Sequence, residues 1–280
     1  MSGPSCASGA AWLLRCRGLT TDEGIHLLMD RDAVTASAKQ WIRPAAKRVS
    51  PELRSRIIRN LPGRRVRWGS LRRTRPFSDL YGFDRGLPVD RYYIEAFLAR
   101  EATSIRGEVL EVRDPTYAQR FGGADASQVH VVDIDATNAE ATVIADLTVE
   151  GSLPHHAYDS IIVTQTLHLT DDDAAGFRTL WCALRPGGVL LFTGPCISRI
   201  ELPMEEYDHW RYTPLGLRTQ LGRLLPDADV AVEAHGNMLA GVAFLYGIAA
   251  QELTAAELDV DDPGFPLVVC ARISKPRAAV

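Results

Sequence analysis

The 280-residue chain has few cysteines and no long hydrophobic run. Its five cysteines are odd in number, scattered and without C-x-x-C spacing, so their pattern indicates neither a zinc site nor a disulfide framework. No apolar stretch approaches the ~18 residues that span a bilayer. The arginines near the start follow a short apolar segment instead of preceding it, which is the wrong order for a secretory signal. We therefore expect a cytoplasmic protein with no membrane partner and no metal.

Glycine is missing at the one place where a nucleotide-binding crossover needs it. The stretch "GEVLEV" (107–112) is typical of a strand that enters such a crossover. The next turn should be rich in glycine, which lets the backbone approach a nucleotide closely. It reads Arg113-Asp114-Pro115-Thr116-Tyr117 instead, and the glycines come later, at 122 and 123. The turn is either an altered cofactor site or the remnant of one.

Charge is distributed unevenly along the chain. The formal net charge is -4, yet residues 43–75 hold twelve Arg or Lys and a single acid, which leaves about -15 on the remainder. Such a basic run can bind nucleic acid or an anionic surface, or it can be a solvated arm or a helix that pairs with the acidic body. Only Trp68 within it offers an aromatic platform for bases. We expect a partly disordered basic extension over residues 1–75 and no nucleic-acid partner; a nucleic-acid enzyme that uses this arm is the alternative.

Regular patterns begin at residue 76 and alternate between short apolar runs and helical periodicity. Strands are predicted over 108–112, 129–135, 141–146, 158–166, 185–195, 229–236 and 266–273, and helices over 89–105, 171–184, 214–225 and 238–253. This alternation is typical of an α/β domain, here residues 76–280, with a mostly parallel seven-stranded sheet covered by helices on both faces. The last strand follows a helix at the end of the chain and can insert antiparallel.

Carboxylates end three successive strands of this pattern. Glu111 lies near the end of the first strand, Asp133 and Asp135 end the second, and Asp146 ends the third. Ligands of open parallel sheets bind at the carboxyl ends of the strands. An acid after the second strand can accept hydrogen bonds from a ribose diol, and an acid after the third can accept one from an adenine amine.

The chain resembles the class I S-adenosylmethionine-dependent methyltransferases, which have a Rossmann-like fold. The matching segments are "GEVLEV", "VVDID", "IADLT", "YDSIIVTQTLHL" and "LRPGGVLLFTGP", in the family's order across residues 106–195. "WRYTPLGL" and "HGNMLAGVAFLYGIAAQELTAAELD" extend the resemblance over 76–275 to a bacterial small-molecule subgroup associated with glycosides and natural products. The resemblance implies S-adenosyl-L-methionine as cofactor and a small-molecule acceptor, such as a glycosylated or carbamoylated natural product, methylated on a hydroxyl or a nitrogen.

The resemblance also implies roles for particular residues. Asp135 or its neighbour Asp133 would hold the ribose, Asp146 with the Leu147 backbone would face the adenine, and Arg91 and Tyr92 would touch the cofactor carboxylate. The full set of implied cofactor residues is Arg91, Tyr92, Glu111, Arg113, Asp114, Tyr117, Asp133, Asp135, Asp146, Leu147, Gln165 and Thr166.

The glycine-poor turn bears on whether that cofactor is bound. The subgroup also lacks the full Gly-x-Gly-x-Gly pattern but often keeps one glycine where this chain has Arg113. Asp114 can take over the binding of the methionine ammonium, and Arg113 can point into solvent. The alternative is a methyltransferase-fold protein that does not methylate.

Three residues are candidates for acid–base chemistry. His168 follows the fourth strand, and a histidine titrates near neutrality, so it can serve as a general base toward a hydroxyl acceptor; equally, it can be a structural histidine. Asp208 and His209 lie in "EEYDHWRYTP", where Trp210 and Tyr212 are better explained as packing residues and Thr213-Pro214 as a helix start. We expect a monomer or homodimer, with the apolar segment 238–253 as one interface candidate.

Overall fold

A computed structural model describes residues 50, 53, 55, 66–200, 202 and 205–277. The chain divides into two compact units, residues 1–72 and 73–280. The predicted basic extension falls mostly outside the described residues, so its properties remain a prediction. Within the part of the chain that the structure describes, no helix has the length and hydrophobicity needed to cross a membrane.

A single seven-stranded sheet organises the second unit. Its strands are β1 (Glu108–Val112), β2 (Gln128–Asp133), β3 (Val143–Ile144), β4 (Tyr158–Thr164), β5 (Leu184–Pro195), β6 (Asp229–His235) and β7 (Val268–Ser274). They are arranged in the order β3-β2-β1-β4-β5-β7-β6. Strands β1 to β5 pair in parallel, whereas β7 runs antiparallel to both β5 and β6. The predicted Rossmann-like fold class is confirmed, as is the antiparallel entry of the last strand.

The helices begin where the sequence provides capping side chains. They are α1 (Val89–Arg100), α2 (Asp173–Ala183), α3 (Pro214–Leu224), α4 (Met238–Leu245) and α5 (Ala255–Leu258). The carboxylate of Asp172 accepts a hydrogen bond from the Ala175 amide at 2.8 Å, and Thr213 and Asn237 cap α3 and α4 in the same way. Each cap satisfies an amide that the first helical turn leaves unpaired.

Helices cover both faces of the sheet. Alternating side chains of β4 face opposite ways: Ile161 and Val163 pack into the core under α2 and α3, and Ile162 packs into the core under α1 and α4. All three are fully buried. Burial on both faces explains why the central strands read as continuous apolar runs.

Helix α4 is half as long as the apolar pattern over 238–253 predicts. It ends at Leu245, because Gly247 adopts a left-handed conformation (φ 66°). The Gly247 amide donates to the Phe244 carbonyl and the Ile248 amide to the Ala243 carbonyl, both at 2.9 Å. These two bonds form a Schellman cap, which stops a helix even within an apolar segment.

Candidate functional site

The carboxyl ends of β1 and β4 form the topological switch point of the sheet. The chain moves outward from β1 to β2 and β3, then returns to the other side of β1 as β4. Crevices at such points are where open α/β sheets bind ligands. Two non-glycine residues with positive φ follow these strands, Arg113 (76°) after β1 and Gln165 (48°) after β4. Backbone of this kind costs free energy and is concentrated at binding sites.

The turn after β1 has the backbone of a glycine turn without the glycine. Arg113 is exposed, its amide donates to the Val132 carbonyl at 2.9 Å, and its carbonyl accepts from the Asn138 side chain at 2.7 Å. The next residue, Asp114, accepts from the Thr116 amide at 3.0 Å and so closes the turn locally. The left-handed conformation that glycine favours is therefore retained at Arg113.

Glu111 lies buried beneath this turn. Its two carboxylate oxygens accept hydrogen bonds from the backbone amides of Tyr117 and Ala118, at 3.0 and 2.7 Å. Burial raises the pKa of Glu111 to about 7, although the two amide donors lower it. The carboxylate thus ties the end of β1 to the start of the following helical turn. In the structure, Glu111 thus supports the turn after β1 from within the protein.

Arg91, in the first turn of α1, lies beside the same turn. Its Nη1 lies 3.5 Å from the Tyr117 hydroxyl. Its pKa is raised above the ordinary arginine value by Asp90, Tyr117 and Asp114, against the opposing effect of burial. A guanidinium in this position can bind a carboxylate.

Tyr92 does not join this group. Its hydroxyl donates to the Asp259 carboxylate at 2.6 Å, just beyond α5. The structure thus brings Arg91, Asp114 and Tyr117 together at the turn and holds Tyr92 against another segment.

The two acids at the end of β2 differ in their surroundings. Asp133 is the last residue of the strand and is half-buried, and its Oδ2 accepts from the Asn138 side chain at 2.7 Å. Asp135 is exposed, and its Oδ1 accepts from both the amide and the hydroxyl of Thr137, which lowers its pKa. Asn138 joins Asp133 to the carbonyl of Arg113, so Asp133 belongs to the same connected group as the turn.

The third acid is anchored in a similar local turn. Asp146 follows β3, and its Oδ1 accepts from the amide and hydroxyl of Thr148, at 2.8 and 2.7 Å. The side chain of Leu147 is buried in the core. Because one carboxylate oxygen of Asp146 makes both bonds, its other oxygen is the one that can accept from a ligand.

Gln165 is held in place by its main chain. Its amide donates to the Thr193 carbonyl at 2.9 Å. Its buried side-chain Nε2 has no hydrogen-bond partner among the described residues. The hydroxyl of Thr166, by contrast, donates to the Thr164 carbonyl at 3.0 Å. A buried amide donor without a partner costs about 1–3 kcal/mol, which a ligand acceptor atom would recover.

His168 follows directly on the same turn. Burial lowers its pKa to about 4; Asp208 opposes this effect, and Arg211 and Arg91 add to it. Its Nδ1 is buried and has no hydrogen-bond partner in the described part of the chain. His168 is therefore a neutral imidazole at pH 7, within electrostatic reach of α1 and of the segment after β5.

That segment is bound to the His168 turn through its main chain. The amides of His209 and Trp210 donate to the His168 carbonyl at 2.9 and 3.1 Å, and the indole of Trp210 donates to the Thr170 carbonyl at 2.7 Å. The side chain of His209 remains exposed. Trp210 therefore anchors the segment, as the packing interpretation of the sequence expects.

Asp208 forms a bidentate pair with Arg211. Both carboxylate oxygens accept from the guanidinium, and the Asp208 side chain is only 2% exposed. The second guanidinium nitrogen also donates to the Arg199 carbonyl at 2.9 Å. A bidentate pair fixes direction as well as distance, so Asp208 is held rigidly near His168.

The sequence gives no role to two members of the site. Arg211 lies in the same segment as Asp208 and three residues after it, and this spacing could have indicated an ion pair. Asn138 has no comparable signal, because its two partners at Arg113 and Asp133 are defined only by the strand pairing.

Comparisons with known proteins give matches among solved structures alone. No family model and no curated protein matches the chain. A SAM-dependent methyltransferase from Archaeoglobus fulgidus is 14% identical, with 66% of this chain and 94% of that chain covered and a TM-score of 0.45. The plantazolicin methyltransferase BamL, solved in complex with triazolic desmethylPZN analog and SAH, is 12% identical over 71% and 89% of the two chains (TM-score 0.47). The [4+2]-cyclase SpnF is 17% identical over 69% and 85% (TM-score 0.44). Likeness of this size assigns no activity to the chain.

Proposed function

We propose that this protein is an S-adenosyl-L-methionine-dependent methyltransferase that acts on a hydroxyl or a nitrogen of a small molecule. The observation that carries the proposal is the backbone of Arg113, which keeps a left-handed φ of 76° at the switch point where the resemblance expects a glycine. An arginine has no intrinsic preference for this conformation. Its retention, at a cost in free energy, supports a turn shaped for a ligand.

The polar groups around the crevice fit the two ends of such a cofactor. The Arg91 guanidinium offers two donors to a carboxylate, and Asp114 lies close enough to influence it electrostatically and to bind an ammonium group. The unpartnered Nε2 of Gln165 supplies a buried donor on the opposite side of the switch point.

The strand-end acids suit the nucleoside end. Asp133 ends β2 and is braced by Asn138, so it is the better of the two candidates for a ribose diol. Asp146 has a carboxylate oxygen available beyond its local turn, as an adenine amine requires. The ends of two neighbouring strands thus offer one carboxylate for each part of a nucleoside.

The chemistry required of the protein is mainly positioning and proton transfer. When bound, the cofactor would supply a methyl group on a positively charged sulfur. The acceptor would attack the methyl carbon in line, and the sulfur would leave as a neutral thioether. His168 is neutral at pH 7, because burial lowers its pKa to about 4; its Nδ1 can therefore accept a proton from a hydroxyl acceptor, as a weaker base than an ordinary histidine. Asp208, clamped by Arg211, would stabilise the imidazolium that forms. A neutral amine acceptor would need no base before it attacks.

We further propose that the acceptor is a small molecule of the natural-product type, glycosylated or carbamoylated, and that the protein works as a cytoplasmic monomer or homodimer. The support for this acceptor is the sequence resemblance alone. The exposed His209 beside the Asp208 clamp is the remaining candidate for acceptor contact.

Isothermal titration calorimetry with S-adenosylhomocysteine tests the cofactor site directly. We expect binding in the micromolar range. Arg91→Gln should weaken it about 10–100-fold, because a charged hydrogen bond contributes about 1.5–3 kcal/mol. Arg178→Gln, an exposed arginine on α2, is the matched control and should bind like the wild type. If the wild type shows no heat of binding and no thermal shift, the proposal is rejected.

A second candidate is a protein of the same fold that does not methylate. The observation in its favour is Arg113 itself, a large side chain where a glycine is expected. Arg113→Gly separates the two candidates. If the wild type does not bind S-adenosylhomocysteine and the variant does, the native turn has lost its cofactor.

A further inference from the structure

Three residues with metal-binding side chains meet at the other edge of the sheet. Glu233 and His235 are two residues apart on β6, so they share one face of the strand. Cys270 of β7 pairs in register with Glu233 and therefore lies on the same face. One carboxylate oxygen, one imidazole nitrogen and the thiol sulfur all lie within 4.8 Å of one another.

The separation of the nitrogen and oxygen atoms is close to that of two ligands of a tetrahedral ion. The Nε2 of His235 is 3.1 Å from the Oε1 of Glu233. Two ligands of a tetrahedral zinc ion, at bond lengths of 2.0–2.3 Å, are about 3.3–3.8 Å apart. A set of one sulfur, one nitrogen and one oxygen suits zinc, which is a borderline-soft cation, better than it suits magnesium or calcium.

The surroundings of His235 are those of a metal-bound histidine. Its Nδ1 lies 2.9 Å from Oδ2 of Asp261, whose other oxygen accepts from the Gly236 amide, also at 2.9 Å. The ring of Tyr93 stacks on the imidazole, with an interplanar angle of 6°. A carboxylate that accepts a hydrogen bond from Nδ1–H leaves the lone pair on Nε2, and it fixes the direction of the ring.

The guanidinium group of Arg100 already brings a positive charge to this cluster. The Nη2 of Arg100 bonds to Glu233 and lies 3.4 Å from the Nε2 of His235. Arg100 is the last residue of α1, and its side chain is 50% exposed, so it can turn into solvent without moving the helix. The cluster thus attracts a cation that can be exchanged.

We propose that Glu233, His235 and Cys270 bind a zinc ion, which takes the place of the Arg100 guanidinium and leaves a fourth position for water. Binding converts the Cys270 thiol to a zinc-bound thiolate, and the proton passes to the solvent. The ion would join β6 to β7 at the edge of the sheet. Cysteine spacing along the sequence cannot reveal such a site, because its ligands are contributed by two strands 35 residues apart.

Titration of the full-length protein with Co²⁺, after treatment with a chelator, tests the site. A thiolate bound to Co²⁺ gives a charge-transfer absorption in the near ultraviolet, which we expect in the wild type and not in Cys270→Ser. Cys182→Ser is the matched control, because this half-buried cysteine belongs to α2, and it should keep the band. Zinc should remove the band by competition.

Two further variants keep the proposal testable if Cys270→Ser fails to fold. Asp261→Asn should weaken Co²⁺ binding about 10–100-fold, as the loss of a carboxylate behind a ligand histidine does. Arg100→Gln should strengthen it about two- to fivefold, because it removes a competing ion pair of ordinary surface strength. Absence of the band in the wild type, or its persistence in Cys270→Ser, would show that these residues form only an ion-pair network.

Discussion

At the scale of single residues, the left-handed backbone of Arg113 shapes a turn and lowers the stability of the protein. A non-glycine residue in the left-handed region costs about 1–2 kcal/mol, and a glycine there costs part of that in chain entropy. We expect Arg113→Gly to raise the free energy of unfolding by about 0.5–1 kcal/mol. Urea unfolding measures this change. Arg113→Ala keeps the strain and serves as the control; equal stability of the two variants would show that the turn is not strained.

The buried carboxyl group of Glu111 should make the stability of the protein depend on pH in an unusual way. Its folded pKa is raised to about 7 from an ordinary value of 4.5, so its contribution is fully present below pH 4.5 and is lost as pH rises through 7. The loss is of the order of 3 kcal/mol. Glu111→Gln should remove most of this decline between pH 5 and 7.5, as measured by urea unfolding at each pH.

The control for this comparison is Glu150→Gln, which changes an exposed acid. Its curve should run parallel to that of the wild type. A wild-type stability that does not fall between pH 5 and 7.5 relative to Glu111→Gln would mean that the Glu111 carboxylate is better solvated than its burial indicates.

At the scale of secondary-structure elements, the end of α4 depends on Gly247. A Cβ at this position would lie 2.4 Å from the Ser78 carbonyl oxygen, and the backbone has a φ of 66°. Gly247→Ala should therefore destabilise the protein by about 2–4 kcal/mol, through strain and steric overlap together. Thermal or urea unfolding measures it. Gly241→Ala, in the middle of α4, meets only Ile197 at 3.8 Å and should be neutral or stabilising by up to about 1 kcal/mol. Similar losses in both variants would contradict the capping role.

Helices and strands could be predicted from the sequence where burial or a capping side chain determines them. Burial on both faces makes β4 and β5 visible as apolar runs, and the caps at Thr213 and Asn237 mark the starts of α3 and α4. The early end of α4 was not predictable, because an apolar segment with two glycines is also compatible with a continuous helix. The helix stops at the Schellman cap of Gly247, and the close fit of this glycine against Ser78, far away in the chain, distinguishes it from Gly241.

At the scale of the whole molecule, the candidate site also combines features that the local sequence indicates with features that depend on contacts between distant residues. Acids at strand ends are visible in the sequence because parallel strands bring their carboxyl ends to one edge of the sheet. Which acid joins the turn depends on Asn138, and the direction of Asp208 depends on Arg211. Both contacts are set by the packing of loops after folding, which no periodicity encodes.

The proposed cofactor site links the whole sheet to ligand binding. A ligand that contacts the ends of β1, β2, β3 and β4 binds only the folded sheet, so it stabilises the fold by about 2.7 kcal/mol at a concentration 100 times its Kd. S-adenosylhomocysteine at that level should raise Tm by about 5–10 °C, measured by calorimetry. Adenosine, which has no carboxylate for the Arg91 guanidinium, should give a much smaller shift. Because Arg91→Gln should weaken binding about 10–100-fold, the variant should lose about half of the shift or more at the same concentration. A full shift in this variant would mean that the ligand binds elsewhere on the molecule.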